Sequence, residues 1–96
     1  MTLRELRYLV ALGELRHFGR AAEACHVTQP TLSAQLKKLE GYPGQTLVDR
    51  AARLPTLTPI GEQIAERARR LLAEADDILR LTRSRGGPLE GALNLG

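Results

Sequence analysis

From Thr58-Pro59 to Gly86-Gly87-Pro88 the chain supplies a helix start and then no strong stop until the glycines. Threonine suits the N-cap, and proline suits the first turn, where its missing N–H would have had no helical partner. The spacing predicts a helix of about 26 residues, within a chain of only 96. Ile64, Ala68, Leu71, Ala75, Ile78 and Thr82 recur at intervals of four and three, an a/d seam over nearly three heptads. Ile60, Leu72, Leu79 and Leu81 widen it. A chain this short buries only a modest core. Part of the stripe is expected to pack on the chain's own first helix, and the rest on a second copy through Ile64, Ala68, Leu71, Ala75 and Ile78. The fold is thereby narrowed to a small head on a long arm, working as a homodimer.

The head reads as three short helices and a hairpin. Leu3, Leu6, Leu9, Val10 and Gly13 lie at helical spacing, with Arg4, Glu5, Arg7 and Glu14 on other faces, predicting a helix over 3–15. His17-Phe18-Gly19 interrupts it. Next comes "RAAEAC", whose Ala21, Ala22 and Cys25 form a stripe small enough for another helix to approach closely. His26-Val27 makes a tight turn, and Thr28 opens a third helix that stops at Gly41 and Pro43-Gly44. Extended pieces around "TLVDR" and "PTLT" suggest a small β-hairpin, weakened by Pro55, which cannot donate to a ladder. The expected fold is mainly α: a winged helix-turn-helix followed by a long dimerisation helix.

The third helix carries the functional argument. With Leu32 at the centre of its buried stripe, Leu36 and Leu39 fall within about 40° at 100° per residue. The opposite pole is Pro30, Ala34 and Lys37, flanked by Thr31, Ser33 and Lys38. A face meant only for solvent usually bears long charged side chains. This one has small residues at its front and its charge at its back. Such an edge fits a DNA major groove, which a recognition helix enters with its N-terminal residues toward the bases. Pro30 and Ala34 suit thymine methyl groups, and Gln29 can pair bidentately with adenine. Thr31 and Ser33 can reach phosphates or base edges, while Lys37 and Lys38 suit the backbone. The free N–H groups of the first turn, capped by Thr28, favour phosphate. A three-leucine amphipathic helix by itself is equally consistent with plain core packing.

Charge agrees with this placement. Residues 1–58 hold eight Lys and Arg (Arg4, Arg7, Arg16, Arg20, Lys37, Lys38, Arg50, Arg53) against five Asp and Glu. Residues 59–96 hold six of each. A polyanionic partner is therefore expected at the front half. The single cysteine excludes an internal disulfide, and four-ligand zinc spacing is absent; no metal or other cofactor is expected. Cys25 is expected to be a buried, inert thiol, and His17 and His26 to serve packing or hydrogen bonding. The N-terminus has no apolar segment for export, and no run is long enough to span a membrane, which makes the cytoplasm the expected location. No carboxylate pair, glycine-rich phosphate loop or nucleophile with an ordered base supports an enzyme.

The stretch "LRELRYLVALGELRHFGRAAEACHVTQPTLSAQLKKLE" resembles the N-terminal DNA-binding region of LysR-type transcriptional regulators. The likeness rests on Phe-x-x-Ala-Ala followed by Val-Thr-Gln-Pro-x-Leu-Ser-x-Gln-Leu-x-x-Leu-Glu. Within that family "HFGRAAEACHVTQPTLS" is similar to the OxyR-type peroxide sensors. It extends more loosely through Leu47-Val48-x-Arg50, Arg53 and Leu57-Thr58-Pro59-x-Gly61. The resemblance implies base or phosphate contacts from Gln29, Pro30, Thr31 and Ser33, and a wing arginine at Arg50 gripping the backbone. Many members carry arginine where this chain has Ala34. Pro43, Leu54 and Pro55 also depart from the family pattern, so a shorter, less regular wing with fewer phosphate contacts is expected.

The family likeness further implies antiparallel pairing of linker helices, an inverted-repeat site on double-stranded DNA, and a higher oligomer in a full-length protein. The expected organisation is a DNA-binding domain over 1–58, a dimerisation helix over 59–85, and at 86–96 a hinge and the start of a truncated effector domain, where "GALNLG" resembles a first strand. Any signal receptor, including a peroxide-reactive cysteine pair, would lie outside these residues. The competing expectation is a winged-helix protein-interaction module that no longer reads DNA.

Overall fold

The computed structural model describes residues 1–84, so the expected hinge and effector segment at 86–96 lie outside the described residues. Helix α1 spans Leu3–Leu15, α2 Phe18–Ala24, α3 Gln29–Glu40 and α4 Pro59–Ser84, with strands β1 (Val48–Asp49) and β2 (Thr56–Leu57) between α3 and α4. The mainly helical winged architecture expected from the sequence is the observed one.

Each helix starts where a side chain can satisfy otherwise unpaired amides. At α1, the Glu5 amide donates to Thr2 Oγ1 and the Thr2 amide donates to Glu5 Oε1, both at 3.1 Å, a reciprocal capping box. Glu5 was expected away from the core, yet it is buried, because the capping box turns its carboxylate back over the helix end. Helix α1 ends at Arg16, in the left-handed region with φ 52°. His17 then caps α2, its Nδ1 accepting from the Arg20 amide at 3.0 Å. The second helix therefore begins at Phe18 rather than at the expected Arg20. His26, at φ 60°, turns the chain from α2 into α3.

Leu6, Leu9 and Leu12 of α1, Ala21 and Ala22 of α2, and Leu32, Leu36 and Leu39 of α3 form one core with Leu47, Val48, Leu57, Ala65 and Ala68. Full burial of each large aliphatic side chain is worth about 1.5–3 kcal/mol. The wing is two residues per strand, antiparallel, pairing Val48 with Leu57 and Asp49 with Thr56. It buries Val48 and Leu57 and leaves Asp49 exposed, the alternation a half-covered strand requires.

Helix α4 divides along its length. Ala65, Ala68 and Leu72 are buried against the chain's own body, while Leu71, Ile78, Leu79 and Leu81 are exposed. The expected seam is corrected at Ala68, which is 1 % exposed and already covered. Ala68 thus offers a second copy almost no area of its own, although it lines, with Ile64 and Leu71, a groove between α1 and α4. Leu72, expected to widen the seam, also turns inward. The expected boundary between 58 and 59 thus runs through a single core. Arg69–Glu14 at 3.2 Å and Arg7–Asp76 at 3.4 Å join α1 to α4 at the surface, where such pairs contribute little.

Candidate nucleic-acid interface

The third helix is oriented by its three leucines. Leu32, Leu36 and Leu39 are 0–2 % exposed, which fixes the helix rotation and determines what the other side presents. Gln29, Pro30, Thr31, Ala34, Lys37 and Lys38 are exposed there, and Ser33 is half-buried at the margin. Thr28 is exposed as the N-cap, with its Oγ1 accepting from the Thr31 amide at 3.3 Å and donating to Thr31 Oγ1 at 2.9 Å. The Thr28 hydroxyl is thus engaged in holding the helix end, while Thr31 keeps its own hydroxyl hydrogen for another acceptor. The amides of Gln29 and the first turn stay on the exposed end, and Pro30 adds no unpaired donor.

No ion pair involves Lys37, Lys38 or Arg53 among the described residues, so their charges stay available to an anion. Arg50 differs. Its Nη1 lies 3.4 Å from both oxygens of Glu40 at the end of α3. Asp49 Oδ1 accepts from the Ala51 amide at 3.0 Å, bending the chain at the wing tip. The wing is short, as its prolines suggested.

Two features of this face were not anticipated. A Cβ at Gly19 would lie 3.6 Å from Gln29 Oε1 and closer still to the His17 ring, so the start of α2 stands beside the start of α3. Glu40 also ties the wing to α3 through the Leu47 and Val48 amides. The signal for the first was Gly19 itself, lying just after a capping histidine. For the second it was an acidic residue closing a helix ten positions before a wing arginine.

The expected pairing residues are not all presented alike. Leu71 and Ile78 are exposed, Ile64 and Ala75 are half-buried, and Ala68 is covered. Met1, Leu6, Ile60, Ile64 and Leu71 border an apolar groove of about 330 Å³ between α1 and α4. Cys25, expected to be buried, is half-buried. It caps the end of α2 and borders a separate cleft of about 630 Å³ with Arg4, Arg7, Tyr8 and Leu72. Burial pushes its thiol up, and the nearby Arg7 guanidinium offsets this only in part. No helix among the described residues is long and apolar enough to cross a membrane.

Comparison with known proteins places this geometry. Residues 3–62 match the family described as bacterial regulatory helix-turn-helix protein, lysR family. The chain is 50 % identical over 95 residues to the HTH-type transcriptional regulator EstR of Acinetobacter baylyi, covering 99 % of this chain and 32 % of that protein. It is 44 % identical over 96 residues to the hydrogen peroxide-inducible genes activator of Pectobacterium carotovorum, covering 100 % of this chain and 32 % of the relative. The chain therefore spans about a third of the length of these two relatives. The structure of the BenM DNA-binding domain with its catB site 1 DNA superposes with a TM-score of 0.82 at 37 % identity, covering 88 % of this chain and 93 % of that one. The chain belongs to the LysR family of bacterial helix-turn-helix transcriptional regulators, and not to an enzyme family.

Proposed function

We propose that this chain reads double-stranded DNA in a sequence-specific manner, as one of two symmetry-related heads, and so directs transcription from an inverted-repeat site. The observation that carries the reading is the exposed edge of α3. Small residues Pro30, Thr31 and Ala34 stand in front, with Gln29 beside them and, behind, Lys37 and Lys38, which form no ion pair among the described residues. Helix and base edges can approach because nothing bulky intervenes, while the lysines and Arg53 meet phosphate. The DNA complex of the BenM domain supports the same use of this fold.

The exposed Leu71 and Ile78 support pairing through α4. A two-fold pair would set half-sites about one helical turn, 10–10.5 bp, apart. Titrating a labelled inverted-repeat duplex across salt tests the binding. A head that grips phosphates loses affinity linearly on log–log axes. Absence of binding at low salt would leave a protein-interaction module instead.

A finer reading, that the whole regulator responds to hydrogen peroxide, rests on kinship with the peroxide-inducible activators. EstR, at slightly higher identity, carries a different name, so kinship over the reading head does not select the signal. Peroxide treatment of the full-length regulator, followed by footprinting on its site, tests this reading. An unchanged footprint counts against it.

A further inference from the structure

One carboxylate gathers donors from three places in the wing. Glu40 closes α3 with its side chain 15 % exposed. Its Oε2 accepts from the Leu47 amide at 2.8 Å and the Val48 amide at 3.1 Å. Arg50 Nη1 lies 3.4 Å from both of its oxygens. The Leu47 carbonyl in turn accepts from the Thr58 amide at 2.9 Å, and Thr58 Oγ1 donates to the Thr46 carbonyl at 2.8 Å. A continuous set of bonds therefore runs from the end of the exposed helix, through the wing, to the start of α4.

We infer that Glu40 is a positioning residue for DNA binding: it fixes the entrance to the wing and holds Arg50 by one edge, leaving the other edge for phosphate. Hydrogen bonds from backbone amides to a charged carboxylate are among the stronger kinds, so the anchor at Leu47 and Val48 is firm. The contact to Arg50 is longer, and the Arg50 side chain stays 30 % exposed. Its Nε and Nη2 donate to nothing among the described residues. A guanidinium backed by a carboxylate on Nη1 is preset in orientation, which lowers the entropy lost when a phosphate binds the remaining donors.

The inference rests on the proposed DNA reading and makes a prediction opposite to charge counting. Deleting a negative charge near a polyanion should tighten binding if Glu40 is only a repelling carboxylate. If it positions Arg50, Glu40→Gln should weaken binding, because an amide cannot accept from both backbone donors and the arginine while keeping its own N–H groups clear of them.

The test uses this 96-residue chain and a fluorescein-labelled inverted-repeat duplex, with salt titrations of the parent, Glu40→Gln, Arg50→Gln and the double variant. Loss of one phosphate contact lowers the slope of log affinity against log salt by about 0.9, so losing it from both heads on an inverted-repeat duplex lowers it by about 1.8. Each single variant is expected to lose that amount, and the double variant no more than either, the signature of two residues acting as one unit. A Glu40→Gln variant that keeps the parent slope or binds more tightly, while Arg50→Gln loses affinity, overturns the inference and leaves the DNA reading intact. Should Arg50→Gln keep the parent slope, the wing contact fails and takes the inference with it. No binding by the parent overturns both. Amide exchange gives a readout without DNA: Leu47 and Val48 should exchange faster in Glu40→Gln and not in Arg50→Gln. If Glu40→Gln does not fold, the intact chain decides through the Arg50 guanidinium NMR signals, where slowed rotation is expected and free averaging would overturn the role.

Discussion

Gly61, in the first turn of α4, lies against the carbonyl of Leu47 so closely that a Cβ at 61 would overlap that oxygen. The approach is what allows the wing to sit on the start of α4, where Thr58 bonds to both the Leu47 and the Thr46 carbonyls. The obstruction is backbone, not a flexible side chain, so it cannot move aside cheaply.

Gly61→Ala therefore sets two effects against each other. Helix propensity alone would favour alanine by about 1 kcal/mol. Forcing a methyl into a filled site costs about 1–3 kcal/mol, occasionally more, and here the neighbour is an anchored peptide group. Net destabilisation is expected in urea unfolding, with the wing disturbed first. Gly13→Ala is the comparison: its new methyl would meet Leu57 Cδ1 at 2.7 Å, the end of a side chain that can change rotamer. A smaller loss is expected there.

Much of this fold is legible in the sequence because its elements are set by local chemistry. Thr28 and Thr58 announce two helix starts, and Leu32, Leu36 and Leu39 fix which side of α3 stays exposed. The inward face of α4 was harder to read. Ala68 fits a heptad and also fits a helix crossing, and only the position of α1 decides between them. Glu5 and Glu40 were hidden for another reason: a charged residue reads as surface until its hydrogen-bonding amides are located in space. Cys25 lay on the expected stripe, but the stripe ends at a cleft, which leaves the thiol half-covered.

The two faces of α4 respond oppositely to the same substitution. Leu71 is 49 % exposed and Ala68 1 % exposed. Leu71→Asp should leave the head folded, split the pair in sedimentation, and weaken binding to a full site more than to a half-site. Ala68→Asp buries an unpaired charge, a class of change that costs several kcal/mol, and should unfold the head. A folded dimer after Leu71→Asp would mean that pairing uses another surface.

Ser33 stands at the margin of the proposed DNA-facing edge. Ser33→Glu would bring a negative charge toward the phosphates while leaving Leu32 and Leu36 in place. At least a tenfold loss of duplex affinity, about 1.4 kcal/mol, is expected with an unchanged circular dichroism spectrum. Anisotropy titration at fixed salt measures it, and full affinity would remove α3 from the interface.

The Cys25 thiol is held up by burial, so folding favours its protonated form. Its contribution to stability is complete below the ordinary thiol pKa and is lost as pH rises through the raised folded value. Alkylation by iodoacetamide at pH 8 should run several-fold slower on the folded chain than on the urea-unfolded one. Cys25→Ala should flatten the alkaline fall in stability. Equal alkylation rates would show an accessible, unperturbed thiol.

The most direct test of the DNA reading is selection of bound sites from a pool of random duplexes using the purified chain. Recovery of an inverted repeat, its halves about one helical turn apart, is the expected result. Recovery of no common sequence from a folded, paired protein would contradict it.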